Sequence, residues 1–241
     1  MNRYYYDFHI HSCLSPCADD DNTPNNIAGM ASLCGLNIIA LTDHNSCKNC
    51  PAFFEACRRY GIIPVAGMEL TTAEDIHVVC LFEELENAMM FDAFIGGHRM
   101  LIKNRADIFG NQLVLDGQDN IIGEEKYFLS NATDISVNNV QEIVCKYGGI
   151  CYPAHIDRQA NGIISVLGTF PENLAFNCFE INRREKIAEY VKKYNLGDKR
   201  VIVSSDAHYL TDIRDKENYF ELDDEPYSSV FVRKKLFEKI R

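Results

Sequence analysis

Tyr4-Tyr5-Tyr6-Asp7-Phe8-His9-Ile10-His11 reads as a strand that ends in two histidines, and its pattern sets the reading of the rest of the chain. Side chains alternate along an extended segment, so His9 and His11 fall on one face. The arrangement recurs: Ile38–Thr42 runs into Asp43-His44, Ile150–Ala154 into His155, and Val201–Ser205 into Asp206-Ala207-His208. Five of the seven histidines therefore stand at or just beyond the end of an apolar, strand-like run. Glu69 follows the run Ile62–Met68 in the same manner. Imidazoles and carboxylates gathered at strand ends are the donors that a cluster of divalent ions takes. In α/β folds that edge is also where active sites are built.

Around these motifs, strand-like and helix-like segments alternate. After Tyr4–Ile10 a helix opens with Thr23 as its cap and Pro24 in its first position. Leu36–Thr42, a helix from Pro51 to Tyr60, strands Ile62–Met68 and His77–Phe82, and a helix through Glu84–Ile95 follow. Later come helix Val137–Tyr147, strands Gly149–Ala154 and Phe176–Ile181, helix Arg184–Tyr194 and strand Val201–Ser204. Apolar runs without strict alternation fit strands covered on both faces. About seven such strands with helices between them predict a distorted α/β barrel rather than an open sheet. Residues 96–132 break the rhythm: Gln112–Glu125 alternates around Asp116-Gly117 and predicts a hairpin. This stretch is read as an elaboration over the active face or edge of a single catalytic domain spanning residues 1–241, closed by a strand and an amphipathic helix within 217–241.

A chain of 241 residues buries enough surface to fold without disulfides or a structural metal. No apolar run approaches the roughly 20 residues of a membrane span, and the N-terminus opens directly onto a strand, so no membrane partner and a cytoplasmic location are expected. The ten cysteines then read mostly as thiols. A net charge of −11 argues against broad binding to a nucleic-acid backbone. It leaves a phosphorylated substrate open, because bound cations would reverse the local sign.

The order His-x-His, Thr-Asp-His, Gly-x-Glu with a later His, Ala-His and Ser-Asp-Ala-His resembles the PHP (polymerase and histidinol phosphatase) family of metal-dependent phosphoesterases along nearly the whole chain. The resemblance implies a distorted (β/α)7 TIM-like barrel with a metal cluster, typically trinuclear, at the carboxyl ends of the strands. It implies one ion held by His9, His11, Glu69 and Asp206, and a second shared by Glu69 and bound by His77 and His155. A third would take His44 and His208. His77 precedes its apolar run, so the strand-end reading does not select it; only the resemblance does, through Glu74-Asp75-Ile76-His77-Val78-Val79. Asp43 is read as a carboxylate that orients an imidazole from behind, or as a turn residue at a strand end. Many family members carry an aspartate where this chain has Pro16, which leaves the third site to Cys17, to one of Asp19, Asp20 and Asp21, or incomplete. A thiolate there would favour zinc over manganese. Cys47 and Cys50, with Cys13 and Cys17 on a neighbouring loop, are read as free thiols, with a four-thiolate zinc site or a redox pair as the alternatives.

The chemistry expected is hydrolysis of a phosphoester by metal-activated water, with two to three divalent ions (Zn, Mn or Fe) as cofactors. Arg158, three residues after His155, could turn back to bind phosphate oxygens; Arg99 and Arg105 are expected in surface ion pairs, and His98 at the surface or behind the ligands. Leaving-group protonation stays open among His208, Asp206 and water. The substrate expected is a small phosphorylated metabolite, nucleotide or short oligonucleotide, with no long duplex nucleic acid as partner. The alternatives are a single-strand exonuclease and a non-catalytic, metal-stabilised structural or regulatory module.

Overall fold

The computed structural model describes every residue from Met1 to Arg241 except Pro226. β1 (Asn2–Ile10) leads to α1 (Pro24–Leu33), whose first turn is capped by the Thr23 side chain accepting from the Asn26 amide at 3.3 Å. β2 (Ile38–Leu41), α2 (Cys50–Tyr60) and β3 (Ile63–Thr71) follow, and the three strands pair in parallel. β4 (His77–Phe82) then returns antiparallel to β3. Only residues 72–76 join these two strands, in a turn closed by Thr72 N–H to Ile76 O at 2.9 Å with Asp75 at φ 61°. A link this short leaves no room for the crossover that parallel pairing needs.

α3 (Leu85–Gly96) and α4 (Ala106–Phe109) precede the hairpin of β5 (Leu113–Leu115) and β6 (Ile121–Glu124). Its turn is tied by Asp116, whose Oδ1 accepts from the amides of Gln118 and Asn120 at 2.8 and 2.9 Å. The chain continues through α5 (Val137–Lys146), β7 (Gly149–Pro153), α6 (Ile163–Leu167) and β8 (Cys178–Ile181). A 3-10 turn leads into α7 (Ile187–Lys193), and β9 (Arg200–Val203), β10 (Tyr219–Leu222) and α8 (Ser229–Ile240) complete the chain.

The strands form a six-stranded sheet in the order β10-β1-β2-β3-β4-β7 and a separate parallel pair, β8-β9. Single contacts join the two: Ile156 N–H donates to Glu180 O at 3.0 Å, and Ala207 bridges Ile10, with His11 N–H donating to Ala207 O at 2.9 Å. The fold is thus a mixed α/β fold with a curled, half-barrel sheet. The expected distorted (β/α)7 barrel is met in its mixed α/β composition and curl; β4 is antiparallel to both neighbours, and the β8-β9 pair meets the sheet through isolated bonds instead of ladders.

Period-two alternation sorts the sheet into two faces. Tyr4, Tyr6 and Phe8, with Ile38, Ala40, Ile63, Val65, Val79, Leu81, Ile150 and Tyr152, share one apolar layer with Val232, Leu236, Phe237 and Ile240 of α8. This is the concave face, and α8 packs into it. The other face, including Ile39, Leu41, Met68 and Cys80, packs against α1, α2, α3 and α5. β1 changes phase near its end: Asp7 pairs with Ile39 but Ile10 with Leu41, so one extra residue is accommodated. Ile10 thereby packs with the outer layer while Phe8 belongs to the inner one. A bulge of this kind re-aims side chains, and here the re-aimed residues are His9 and His11. Among the described residues no helix is long and apolar enough to cross a membrane.

Candidate metal centre

The concave rows that are apolar low in the sheet become polar at its upper edge. On β3 the row Ile63, Val65, Gly67 ends in Glu69, inside the strand and 1% exposed. Gly67 is required there, since a Cβ would lie 2.8 Å from Cys80 O and 2.9 Å from the Thr42 side chain. On β4 the row Leu81, Val79 ends in His77, because this strand runs the other way and begins where its neighbours finish. His155 and Asp206 follow β7 and β9 with φ values of 26° and 55°. Neither is a glycine, and left-handed backbone of this kind costs about 1–2 kcal/mol per residue. Strain at two such positions, both directed at one cluster, is the pattern expected of a functional site.

Glu69 is the hub. Its Oε1 lies 2.8 Å from His77 Nδ1, 3.0 Å from His155 Nε2 and 3.2 Å from His9 Nε2. Its Oε2 lies 3.0 Å from His44 Nδ1 and 3.4 Å from His11 Nε2. Asp206 Oδ1 is 3.3 Å from His9 Nε2, 3.2 Å from His11 Nε2 and 3.6 Å from His208 Nδ1. Three sets have all their donor atoms within 4.8 Å of one another: His9, His11, Glu69 and Asp206; His44, Glu69 and His77; and His11, His44 and His208.

Groups behind the cluster set the ring orientations. His9 Nδ1 sits 2.9 Å from Glu180 Oε1 on β8, which makes it the N–H side and turns Nε2 inward. His11 Nδ1 is 3.0 Å from Ser15 Oγ, and Ser15 donates its own proton to Asp43 Oδ1 at 2.7 Å. Asp43 also accepts from Ser12 N–H and Ser12 Oγ, each at 2.7 Å. Asp43 therefore reaches His11 through a serine rather than directly. Glu180 escaped the sequence reading, although a lone acid in Cys178-Phe179-Glu180-Ile181 was a visible signal.

Burial opposes charge throughout, yet opposite charges prevail at most positions. It pushes His9 down, but Glu180, Asp206 and Glu69 hold it well above the ordinary imidazole value. It likewise pushes Glu69 up, but His77, His9 and His44 hold it well below the usual carboxylate range. Asp206 is lowered in the same way, mainly by His9 and His11 against burial. For His77 burial wins over Glu69 and the value falls to about 4. Cys17 is exposed at the residue level but places its sulfur against His44 and His208. Burial of the sulfur raises its pKa, while the charge of His44 and hydrogen bonds from His208 and His44 bring it down to about 5.

These residues fit divalent ions. His44 Nδ1, His77 Nδ1, His155 Nδ1 and both Asp206 oxygens are buried without a hydrogen-bond partner, and so many orphaned atoms in one place call for an ion. Apart from the hydrogen bond between His155 Nε2 and Glu69 Oε1 at 3.0 Å, the short contacts to Glu69 and Asp206 are close without being aligned as hydrogen bonds, as donor atoms converging on common points would be. Arg158 Nη1 comes within 2.6 Å of Asp206 Oδ2, again without hydrogen-bond alignment, and its side chain is 45% exposed.

Other expected positions lie apart. His98 contacts Asp134 at 2.6 Å and is one-third exposed. Arg105 pairs with Asp107 at the surface, and Arg99 lies 3.5 Å from Glu125. No four-thiolate site forms among the described residues. Cys47 and Cys50 are buried free thiols, with their sulfurs 3.1 and 3.7 Å from Gly67 O, whereas the Cys17 sulfur lies against His44 and His208.

The PHP domain model matches residues 7–192, more than three-quarters of the chain. The chain belongs to the PHP domain family. No curated protein matches it significantly. Among solved structures, Endonuclease Q in complex with a 27-mer duplex carrying an abasic lesion is similar over 92% of this chain, at 16% identity and TM-score 0.65. The lesion-specific endonuclease PfuEndoQ of Pyrococcus furiosus is similar over 92% at 16% identity and TM-score 0.62. An amidohydrolase from Chromobacterium violaceum with bound sulfate is similar over 91%, at 16% identity and TM-score 0.62. This PHP domain spans 54% and 53% of the two endonuclease chains and 92% of the amidohydrolase.

One expectation is corrected by these likenesses. A small phosphorylated substrate, with long duplex nucleic acid excluded, does not stand, because a neighbour sharing this fold is in complex with duplex DNA. The exclusion rested on the charge of −11. That is a whole-molecule average, whereas ions and local arginines set the sign of the field at a site.

Proposed function

We propose that this PHP domain hydrolyses phosphodiester bonds of a nucleic-acid strand, with two to three divalent ions of zinc, manganese or iron at the cluster. The observation that carries the reading is the convergence of Glu69 and Asp206 with six histidines at one edge of the sheet, with buried donor atoms left unpartnered. The nucleic-acid substrate is supported by the shared fold with Endonuclease Q and its bound duplex. Residues 1–241 are taken as one catalytic unit of barrel type.

His9, His11, Glu69 and Asp206 would hold the first ion, Glu69, His77 and His155 the second, and His44 and His208, with Cys17, the third. When bound, the ions supply Lewis acidity towards phosphoryl oxygens and an activated water nucleophile near neutral pH. The chain does the rest. Glu180 fixes the His9 ring, and Asp43 fixes that of His11 through Ser15. Arg158, at the exposed margin of the cluster, would bind a non-bridging phosphate oxygen.

End-labelled single-stranded DNA, duplex DNA and duplex DNA with an abasic site, incubated with Mn or Zn or with chelator, test the reading. Cleavage that needs metal and is lost in Glu69→Gln is expected. Intact strands in every case, with metal verified on the protein, would contradict it. For Cys17, cobalt-loaded protein should show sulfur-to-metal charge-transfer absorption that disappears in Cys17→Ser; identical spectra would remove Cys17 as a ligand.

A further inference from the structure

We propose that the cleft lined by Arg158, Arg183 and Arg214 is a subsite for a second phosphate, the one next to the scissile phosphate along a nucleic-acid strand. The inference rests on the nucleic-acid reading above and gives that reading a direction along the sheet edge. The three arginines lie far apart in sequence, but they follow three successive strands, β7, β8 and β9, on the same edge as the metal cluster. Together with Asp157, Gln159 and Asn182 they line an open cleft of about 460 Å³, within the range of ligand-sized sites.

Charge decides the class of ligand. Three guanidinium groups face one carboxylate, Asp157, among the lining residues, in a chain whose formal net charge is −11. Asp157 is committed elsewhere: it is 3% exposed and accepts from Asn182 N–H at 3.0 Å, Arg183 N–H at 3.2 Å and Arg183 Nε at 3.1 Å. Arg183 is further fixed by Nη2 donating to Asp157 O at 2.7 Å. Arg214 donates from Nη1 to Asn182 O at 2.8 Å, a neutral acceptor that leaves its charge uncompensated. Asn182 is itself anchored through Nδ2 to Ser204 O at 3.1 Å. The cations are thus held in place with donors to spare, and such a preformed fork suits phosphate oxygens.

Arg158 connects the cleft to the chemistry. It lines the cleft and also lies 2.6 Å from Asp206 Oδ2. A strand with one phosphate at the cluster would pass Arg158 and offer its next phosphate to Arg183 and Arg214. Glu180 on β8 lies behind the cluster and Arg183, two residues after β8, lines this cleft, so cluster and cleft share one sector of the sheet edge.

Arg214→Ala is the informative variant, because Arg183→Ala would leave Asp157 buried without its cation. Fluorescence anisotropy on metal-free protein, with a thermal melt to verify folding, reads binding of a short labelled single strand apart from turnover. A set of strands, each with one methylphosphonate in place of a phosphate, locates the contact. Arg214→Ala is expected to weaken binding five- to tenfold at low salt and to reduce the slope of log affinity against log salt by about 0.7, one phosphate contact on a single strand. One methylphosphonate position should cost the native protein a similar factor and cost Arg214→Ala less than twofold. Independent losses at every position, or no loss in Arg214→Ala, would overturn the subsite. So would Arg214-dependent binding of inorganic phosphate without any coupled strand position, which would assign the cleft to free anions. If the coupling appears but no strand is cleaved with metal, the subsite stands and the proposed hydrolysis fails; cleavage without coupling is the reverse.

Discussion

Ile63, Val65 and Glu69 point to the same side of β3, yet they belong to two layers of opposite character. The lower layer, where Tyr6, Phe8 and Tyr152 meet Leu236 and Phe237 of α8, is apolar and closely packed, with Tyr6 and Phe8 stacked at 4.4 Å. The upper layer is buried except for the part-exposed His77 and His208, but it holds two carboxylates and six imidazoles, unpartnered donor atoms and two strained backbones. Burying each large apolar side chain contributes about 1.5–3 kcal/mol, whereas burying unpartnered polar atoms and adopting left-handed backbone cost stability. The lower layer holds the sheet in its curl, and the upper layer spends part of that stability on a preformed binding site.

Exchanging the character of the two layers tests this division, beginning with the largest effect. Glu69→Gln removes the group shared by five histidines. Since ions of this kind contribute several kcal/mol to the transition state, phosphoester hydrolysis should fall by about 10³-fold or more. Elemental analysis should show ion loss alongside; full ion content with activity within tenfold of native would break the comparison at its upper half. Phe8→Ala attacks the lower half and should cost about 3–5 kcal/mol in urea unfolding, the usual range for such a core truncation, while ion content stays unchanged. Parallel loss of ions would mean that the two layers are not separable.

Glu180→Gln sharpens the boundary, because Glu180 belongs to the strand row of Cys178 and orients His9 from behind. A 10–100-fold loss of metal affinity is expected from removing such a partner, measured by competition with a chelating dye; unchanged affinity would make Glu180 part of the packing alone. The smallest effect belongs outside both layers. Burial raises the Glu125 pKa, but the hydrogen bond from Lys48 and the charge of Arg99 lower it below the ordinary 4.5. The stabilisation this lends is present above pH 4.5 and lost as pH falls through the folded-state value. Because Lys48 is part-exposed, Glu125→Gln should cost under about 1 kcal/mol at pH 7, with the gap from native protein closing in acid. A gap that widens in acid would reverse the sign assigned.

Much of the upper layer was legible because strands that run in parallel end on the same edge, so apolar runs ending in His9, His11, His44, His155 and Asp206 pointed to one place. His77 was not legible that way. β4 runs antiparallel, and its first residue rather than its last reaches the edge, a reversal hidden in the five residues of the Thr72–Ile76 turn. The bulge that re-aims His9 and His11 left no mark in the run Phe8-His9-Ile10, since it is fixed by pairing with β2. Asp43 was read either as a carboxylate behind an imidazole or as a turn residue, and its route to His11 through Ser15 depends on a loop whose path only the folded chain shows. The cleft of Arg158, Arg183 and Arg214 was equally out of reach, because it gathers three loops that no local pattern connects.

The most direct test of the metal centre is a titration of metal-free protein with zinc or manganese, followed by calorimetry and by elemental analysis after desalting. Two to three equivalents should bind saturably, release protons as the ligands are metallated and raise the melting temperature, with binding reduced in Asp206→Asn. Fewer than two equivalents, or the same binding in Asp206→Asn as in the native protein, would contradict a divalent-ion centre built on these residues.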